Sequence, residues 1–439
     1  MRSCASLILA GSLLGTAACK DDEKPPEEKP LSAQAEKGLT IAPFELDVNG
    51  LTNAEKERIG LGSYYVNVIV CQDCHQTPSP SGPPKYLSGG LPFQISAAGD
   101  IVYGRNLTPD PDTGMKLTEA EFVEAMRTGK DFKSDNASEQ LIVMPWQTFR
   151  WMSEEDLKSI YAYLKKVPAV RNPVPDDLKG AAAAARPVPF PSSYNDGEIS
   201  RALPAESDSD TLNQERGLAL QTLADPPGLA SLSTSDRALY ARGSYLVNAL
   251  GDCSGCHTNP QRDPMNQKIP TDRFLTGGQN FVVPPGLNAL QKYTRSMTSN
   301  LLGANNGAIP KLTYEQFKAI ITTGMVTRGS TTRKLAHPMS GIAEGLKSAT
   351  EDDLKAIFTY LKNQVPRTGA ADKLTQEPAR YCTADTDCNM AGGETCSTAS
   401  NECVGASCTA AADCGSCQTC STDKCAAPAA NSACLTSGI

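Results

Sequence analysis

The chain has 439 residues, with 49 acidic and 41 basic side chains and a formal net charge of −8. This length allows two or three domains, and the acidic balance argues against a nucleic-acid-binding protein, because such proteins carry basic surfaces. Aromatic residues make up only 6% of the chain, which favours a core completed by something other than side chains.

The N-terminus has the pattern of an export signal. Arg2 precedes an apolar run that is too short to span a membrane. The stretch TAAC, which ends at Cys19, resembles a bacterial lipobox; the alternative is an ordinary cleaved signal with an incidental cysteine. We therefore predict a signal peptide over residues 1–18 and lipidation of Cys19, which would anchor the protein in the periplasm or at the cell surface. Residues 19–50 are charged and rich in proline, and they predict a disordered tether.

Residues 51–170 predict a small helical domain with long loops. A capping box at Thr52 starts a helix that leads into the motif CQDCH, residues 71–75. The segment LTEAEFVEAMRTGK predicts a second helix that starts at Thr118 and ends at Gly129. A third helix is predicted after Ser153, where apolar residues recur at helical spacing.

A second copy of this domain follows over residues 233–367. The segment GSYYVNVIVCQDCH returns as GSYLVNALGDCSGCH, one residue longer. Its helices are predicted to begin with a capping box at Ser233, a capping box at Thr313 and a cap at Thr350. Between the copies, residues 171–232 are rich in Pro, Ala and Ser and predict an irregular connector that packs over the domains, with a short helix near QERGLALQTLA.

The C-terminal segment, residues 368–439, contains ten cysteines between Cys382 and Cys434. An even and dense set of cysteines in an exported protein predicts a disulfide framework with up to five bridges. The sequence leaves their pairing open. Taken alone, such a module is also compatible with surface adhesion.

Each CxxCH motif places two thiols three positions apart and a histidine directly after them. This spacing allows both sulfurs to bind the vinyl groups of one haem while the histidine reaches the iron. A CxxC disulfide would not require the histidine, and a zinc site would need a second pair of ligands that neither copy offers. We therefore predict two covalent haem c groups, held by Cys71, Cys74 and His75 and by Cys253, Cys256 and His257.

The sixth iron ligand of the first copy has to be a residue other than histidine, since His75 is the only histidine there. Met144, in the apolar loop LIVMPWQTF, is the leading candidate. Its competitors are Met126 on an apolar helix stripe, Met152 directly before a helix cap and Met115 in a polar turn. Electron-transfer cytochromes favour iron bound by methionine and histidine, and Met144 is therefore the predicted ligand.

The second copy offers two candidate ligands in the stretch LAHPMSG. Counted towards the third helix, Met339 matches the position of Met144 better than His337 does, and Met339 is the predicted ligand. His337 remains a competitor, because imidazole is a strong iron ligand; the alternative is a loop histidine near the haem edge.

The stretches GGLPF, GRNLTPDPDTGMKLTEAEFVEAMRTGK, MPW and EEDLKSIYAYLKKVP resemble the cytochrome c subunits of membrane alcohol and gluconate dehydrogenases, over about residues 52–366. The resemblance implies a mainly α chain with two tandem class I cytochrome c domains. It also implies iron ligation by His75 with Met144 and by His257 with Met339, and a relay of electrons from a dehydrogenase towards quinone or an oxidase. Those subunits usually carry three haems, whereas this chain has two CxxCH motifs and a cysteine-rich module in place of a third domain.

These observations predict a lipid-anchored dihaem cytochrome that transfers single electrons and catalyses no substrate chemistry, because two axial ligands saturate each iron. Its expected partners are redox proteins, and nucleic acid is not expected as a partner. We expect it to contact the membrane only through the lipid anchor. The alternative is a dihaem peroxidase or oxidase in which His337 or a labile Met339 leaves one iron reactive.

Overall fold

The computed structural model describes residues 29–77, 85–95, 100–134, 139–179, 193–194, 201–206, 210–259, 269–283, 294–302, 307–328, 331–367 and parts of 379–426. Within these ranges the chain is mainly helical, as predicted, and its strands form short antiparallel pairings. No helix among the described residues is both long enough and apolar enough to cross a membrane. The predicted signal peptide and Cys19 lie outside the described ranges.

The first unit spans residues 33–164. Its elements are α1 (Ala33–Ile41), α2 (Asn53–Val68), α3 (Cys71–His75), β1 (Pro92–Gln94), β2 (Ile101–Tyr103), α4 (Glu119–Thr128), α5 (Trp146–Phe149) and α6 (Glu154–Leu164). Helices α2 and α6 cross closely at Gly62, where a Cβ atom would overlap the carbonyl oxygen of Ser159. This crossing lets the apolar residues of both helices share one core.

Helix α1 lies inside the segment that the sequence predicts to be a disordered tether, and that prediction is wrong for residues 33–41. Ser32 caps the helix by accepting a hydrogen bond from the backbone N–H of Ala35. On its inner face Gly38 packs against Gly60 of α2, where a Cβ atom would overlap the carbonyl oxygen of Gly60. Tertiary contact with α2, more than its own composition, therefore orders this short helix.

The second unit, residues 210–362, repeats this architecture. Between the units lie β3 (Ser193–Tyr194) and β4 (Arg201–Ala202). The second unit contains α7 (Asp210–Ala219), α8 (Thr234–Tyr245), α9 (Cys253–His257), β5 (Asn280–Val283), β6 (Thr294–Met297), α10 (Tyr314–Thr323), β7 (Met325–Arg328), β8 (Thr331–Lys334), α11 (Met339–Leu346) and α12 (Glu351–Lys362). Helix α7 confirms the short helix predicted in the connector and packs on α8 as α1 packs on α2, with Gly217 against the carbonyl of Ala241.

The additional residue of the second copy is accommodated by a change in helix type. Helix α8 continues into a π-helical turn, Leu246–Leu250, before the second CxxCH motif. A π-turn contains one residue more than the corresponding α-turn, so it absorbs an insertion without moving the flanking segments. The one-residue difference in sequence length therefore leaves the two motifs in equivalent positions.

Most of the predicted helix caps are confirmed. Reciprocal capping boxes form at Thr52, Thr118 and Thr313, and both α4 and α10 end at glycines with left-handed backbone. The box predicted at Ser233 is wrong in one respect. Ser233 accepts from the N–H of Asp236, but the Asp236 carboxylate accepts from the Ser233 hydroxyl and not from its backbone N–H. An aspartate side chain is one methylene shorter than the glutamate of a usual box.

The described parts of the connector pack over the units, as predicted. Leu178 pairs its backbone with Ile101, and Glu206 binds Arg127 of α4 and Arg216 of α7. Glu206 thus joins the first unit to the first helix of the second.

The C-terminal module confirms the predicted disulfide framework. Three bridges have both cysteines among the described residues, and they join Cys382 to Cys396, Cys388 to Cys403 and Cys408 to Cys420. The strands of the module are β9 (Ala379–Arg380), β10 (Thr395–Ser397), β11 (Glu402–Val404), β12 (Thr419–Ser421) and β13 (Lys424–Ala426). Strands β10–β11 and β12–β13 form two hairpins, and β9 pairs with β6 of the second unit.

Candidate haem-binding sites

The two CxxCH histidines are held in the same way. Nδ1 of His75 lies 2.8 Å from the backbone oxygen of Arg105, and Nδ1 of His257 lies 2.8 Å from that of Ser299. A carbonyl oxygen can only accept, so Nδ1 carries the hydrogen and Nε2 keeps its lone pair. This is the arrangement that orients a histidine as a metal ligand through its other nitrogen.

The backbone before each motif turns sharply. Val70 and Asp252, the residues directly before the first cysteines, adopt left-handed φ values of 54° and 46°. Each turn starts a five-residue helix, α3 or α9, that carries both cysteines and the histidine. None of the four motif cysteines is in a disulfide bond, which disfavours the CxxC-disulfide alternative. Burial raises the pKa of the Cys71 and Cys253 thiols to about 12, so the surroundings of both sulfurs favour uncharged sulfur over a thiolate.

A cavity of about 550 Å³ lies beside the first motif. It contacts Cys71 and His75, and much of its wall is apolar, with residues such as Phe122, Leu157 and Ile160. A second cavity of about 160 Å³ also contacts Cys71 and His75 and extends to Cys74. A volume in the range of bound cofactors, with two thiols and an oriented histidine at its wall, fits a covalently bound tetrapyrrole.

All four candidate methionines of the first unit contact the larger cavity. Met115, Met126 and Met152 are buried members of the core, whereas Met144 is partly exposed. Met144 alone among them also lines the smaller cavity, together with Cys74. Its position between the two cavities distinguishes it from the three competitors.

The two candidate ligands of the second unit have different surroundings. Met339, the first residue of α11, packs against the same core cluster as Cys253. His337 lies near the contact between the units: a Cβ atom at Gly341 would overlap the Asp73 carboxylate of the first unit and would lie 3.9 Å from Cε1 of His337. Partial burial lowers the pKa of His337.

A charged cluster that the sequence analysis missed lies beside the first cavity. Arg105, whose carbonyl holds His75, forms ion pairs with Asp131 at 3.0 Å and Asp177 at 2.8 Å. Lys179 lies 3.6 Å from Asp177 and contacts Glu139. Both aspartates are almost fully buried, and the cluster lines the smaller cavity. Solvent and salt therefore screen its charges only weakly, and these charges act on a group bound in the cavity.

The second unit has a neutral residue at the matching position. Ser299 replaces Arg105 as the residue whose carbonyl holds the motif histidine. The two candidate sites are therefore alike in the geometry of the histidine and differ in charge at this position. This difference is visible in the sequence, where GRNLT of the first copy aligns with TSNLL of the second.

Comparison with known proteins gives several relatives that are cytochromes c, although no protein-family model matches the chain. The chain is 25% identical over 322 residues to the cytochrome c subunit of gluconate 2-dehydrogenase from Pantoea cypripedii, covering 72% of this chain and 62% of that protein. It is 25% identical over 315 residues to the cytochrome c subunit of the quinone alcohol dehydrogenase from Gluconobacter oxydans (strain 621H), covering 71% and 55%. A diheme cytochrome c-type protein from Cereibacter sphaeroides is 26% identical over 298 residues, covering 66% and 81%.

These relatives confirm the resemblance found in the sequence. The chain spans about three fifths of the length of the dehydrogenase subunits that it matches. Cytochrome relatives support electron transfer and haem c as the cofactor.

Proposed function

We propose that the protein is a dihaem c-type cytochrome in which each unit is a class I cytochrome c domain and carries single electrons. The observation that carries this proposal is the repeated histidine geometry. Both motif histidines have Nδ1 at 2.8 Å from a backbone oxygen, which leaves Nε2 available to iron in each unit. Haem supplies an iron centre that changes oxidation state by one electron.

The residues of the chain would hold and insulate these groups. Cys71 and Cys74 would form the thioethers of the first haem, and Cys253 and Cys256 those of the second. Met144 and Met339 would each supply a thioether sulfur to one iron, and iron bound in this way disfavours oxygen and peroxide as ligands. The largely apolar wall of the first cavity would shield a bound haem from water.

The relatives and the N-terminal sequence support a proposal for the cellular role. We propose that the protein is exported, lipidated at Cys19 and held at a bacterial membrane. There it relays electrons from a dehydrogenase or another donor to a respiratory acceptor. Two of the relatives are subunits of dehydrogenases, which supports a redox protein as the partner.

The decisive experiment measures haem content and reactivity of the purified holoprotein. We expect two haems per chain by pyridine haemochrome assay and low-spin spectra for both irons in both oxidation states. Added hydrogen peroxide should leave these spectra unchanged. A high-spin haem that reacts with peroxide would favour the peroxidase alternative, and a haem count other than two would contradict the proposal.

A further inference from the structure

Two tyrosines at equivalent positions of the repeat reach across the contact between the units. Tyr64, in GSYYVN of the first unit, donates a hydrogen bond from its hydroxyl to Oδ2 of Asp353 in the second, at 2.8 Å. The same hydroxyl accepts from the backbone N–H of Thr350 at 3.0 Å. Tyr64 therefore bonds both to the cap residue of α12 and to the aspartate three positions later.

Tyr245, in GSYLVN of the second unit, makes the same pair of bonds in the opposite direction. Its hydroxyl donates to Oδ2 of Asp156 at 2.5 Å and accepts from the backbone N–H of Ser153 at 2.9 Å. Ser153 is the cap residue of α6, the helix that matches α12. The contact between the units is thus isologous, as in a two-fold dimer, although both halves belong to one chain.

The tyrosines take the place of a missing part of the capping boxes. In α2, α4 and α10 the third helical residue closes the box itself, by accepting from the N–H of the cap residue. In α6 and α12 the cap side chain accepts from the aspartate N–H, but the aspartate does not reach back to the cap. A tyrosine hydroxyl from the other unit lies between them and bonds to both. Each unit therefore completes the N-terminus of the last helix of the other unit.

Burial makes these bonds costly to lose. Tyr64 and Tyr245 are fully buried, and Asp156 and Asp353 are only 4% and 2% exposed. Arg242 binds both oxygens of Asp353, at 2.9 and 3.0 Å, which keeps that carboxylate charged. Without the tyrosine hydroxyl, a buried N–H and a buried carboxylate would each lose a partner.

The same contact brings each candidate haem site against the other unit. Thr148, four residues after Met144, donates to Asp252 directly before Cys253, at 2.6 Å. On the opposite side Gly341, two residues after Met339, packs against Asp73 of the first CxxCH motif. The segment after each proposed methionine ligand therefore lies on the motif of the other unit.

We propose that Tyr64 and Tyr245, with Asp353 and Asp156, are positioning residues that form two reciprocal clamps and fix the spacing of the two haems. The clamps hold the two units in one arrangement, so the electronic coupling between the haems is constant. The proposal rests on the proposed dihaem function. If the clamps act in this way, the two units cannot separate while both tyrosine–aspartate hydrogen bonds are formed.

The test compares the double variant Tyr64→Phe/Tyr245→Phe with Tyr65→Phe in the full-length holoprotein. Tyr65 is the neighbour of Tyr64 and is also buried, but its hydroxyl donates to Oδ1 of Asp156 within its own unit, at 3.0 Å. Tyr245 donates to the other oxygen, Oδ2, so Tyr65→Phe leaves the hydrogen bond of the clamp in place. Two signals are followed during urea unfolding: the magnetic dipolar coupling between the two ferric irons, and the absorption of each haem. The first reports the spacing of the units, and the second reports the integrity of each unit.

In the wild type and in Tyr65→Phe, both signals should disappear together. In the double variant the dipolar coupling should disappear at a lower urea concentration than the haem absorption, because each lost hydrogen bond lowers the ratio of closed to open protein about tenfold. If the double variant does not fold, either single variant is used in its place. The two signals should again disappear at different urea concentrations, with a smaller difference between them. The proposal is wrong if the two signals stay together in the tyrosine variants, or if Tyr65→Phe separates them equally.

A haem count other than two would contradict the proposed function but would still leave the clamps to be decided. In that case the measurement is hydrogen exchange of the backbone amides of α5 and α11, which lie at the contact between the units. These amides should exchange about tenfold faster in the double variant than in Tyr65→Phe. Equal exchange in both variants would reject the clamps independently of haem.

Discussion

The hydroxyl of Tyr86 donates a hydrogen bond to Oδ1 of Asn67 at 2.8 Å in the first unit. The second unit has Asn248 at the position of Asn67 and Phe274, in FLTGG, at the position of Tyr86, in YLSGG. Asn248 is 3% exposed, and among the described residues its Oδ1 has no hydrogen-bond partner. The second unit therefore keeps the asparagine and has lost the donor.

We predict that Phe274→Tyr stabilises the second unit by about 1 kcal/mol, because the new hydroxyl supplies a donor to a buried acceptor. The reciprocal change Tyr86→Phe should destabilise the first unit by about 1–2 kcal/mol, since it leaves the oxygen of Asn67 unpaired. Denaturant unfolding of the holoprotein, followed at each haem, measures both. Destabilisation by Phe274→Tyr would show that the ring at 274 lacks room for a hydroxyl.

Replacement of either proposed methionine ligand should change one haem only. We expect Met144→Ala and Met339→Ala each to remove the sulfur-to-iron charge-transfer absorption of a single haem, because alanine cannot bind iron. Met126→Ala, a change in the same core, is the control for the first unit and should keep both bands. If Met339→Ala retains both bands while His337→Ala alters the spectrum, His337 is the ligand of the second iron.

The unequal charge beside the two sites predicts unequal effects on reduction potential. Arg105→Ser should lower the midpoint potential of the first haem by about 60 mV, a tenfold change in its one-electron equilibrium, because it removes one of the two cations beside the buried carboxylates of Asp131 and Asp177 and leaves only Lys179 near them. Potentiometric titration of both haems measures the shift. Arg171→Ser is the control, since Arg171 pairs with Asp112 in an exposed, solvent-screened position. Equal shifts in the two variants would contradict a local effect of Arg105.

Much of the helical framework could be predicted from the sequence, because its signals are local. Thr118 with Glu121, and Gly129, mark the ends of α4 within twelve residues. The clamp of Tyr64 and Asp353 joins residues 289 positions apart, and no local pattern distinguishes Tyr64 from Tyr65. Asp177 was missed for a similar reason: it lies in a proline-rich connector that carries no periodicity, yet it is the partner of Arg105.

The ion pair of Asp353 predicts how stability depends on pH. Burial alone would raise the pKa of this carboxyl, but Arg242 and the hydrogen bonds from Tyr64 and Gln34 outweigh burial and lower the pKa below its ordinary value. A lowered pKa in the folded state means that the stabilisation is present above the pKa of the unfolded chain, about 3.9, and is lost as pH falls through the lower folded value.

Asp353→Asn should therefore lower the stability of the protein at neutral pH. The stability of this variant should also fall less steeply than that of the wild type as the pH is lowered. Unfolding midpoints measured from pH 7 down to about 3 test this dependence. Asp352→Asn, a change at the exposed neighbouring residue, is the control and should keep the wild-type slope. A variant at 353 with an unchanged slope would show that other carboxyl groups control acid unfolding.

The C-terminal module contains a short repeat from which a disulfide pairing can be predicted. Its first half bonds cysteine one to three and two to four, as Cys382–Cys396 and Cys388–Cys403. The second half has an additional cysteine, Cys417; with Cys417 set aside, Cys408–Cys420 again joins positions one and three. Cys425, opposite Cys420 in the hairpin, is also disulfide-bonded. The fourth position of the first half, Cys403, lies opposite Cys396 in the same way.

The second position of the second half is Cys414, which follows Cys408 at the same spacing as Cys388 follows Cys382. This residue lies outside the described ranges, and the sequence register predicts that it bonds to Cys425. The two remaining cysteines, Cys417 and Cys434, would then pair with each other. Peptide mapping of the unreduced protein by mass spectrometry tests this assignment. A peptide that links Cys417 to Cys425 would show that the second half does not follow the order of the first.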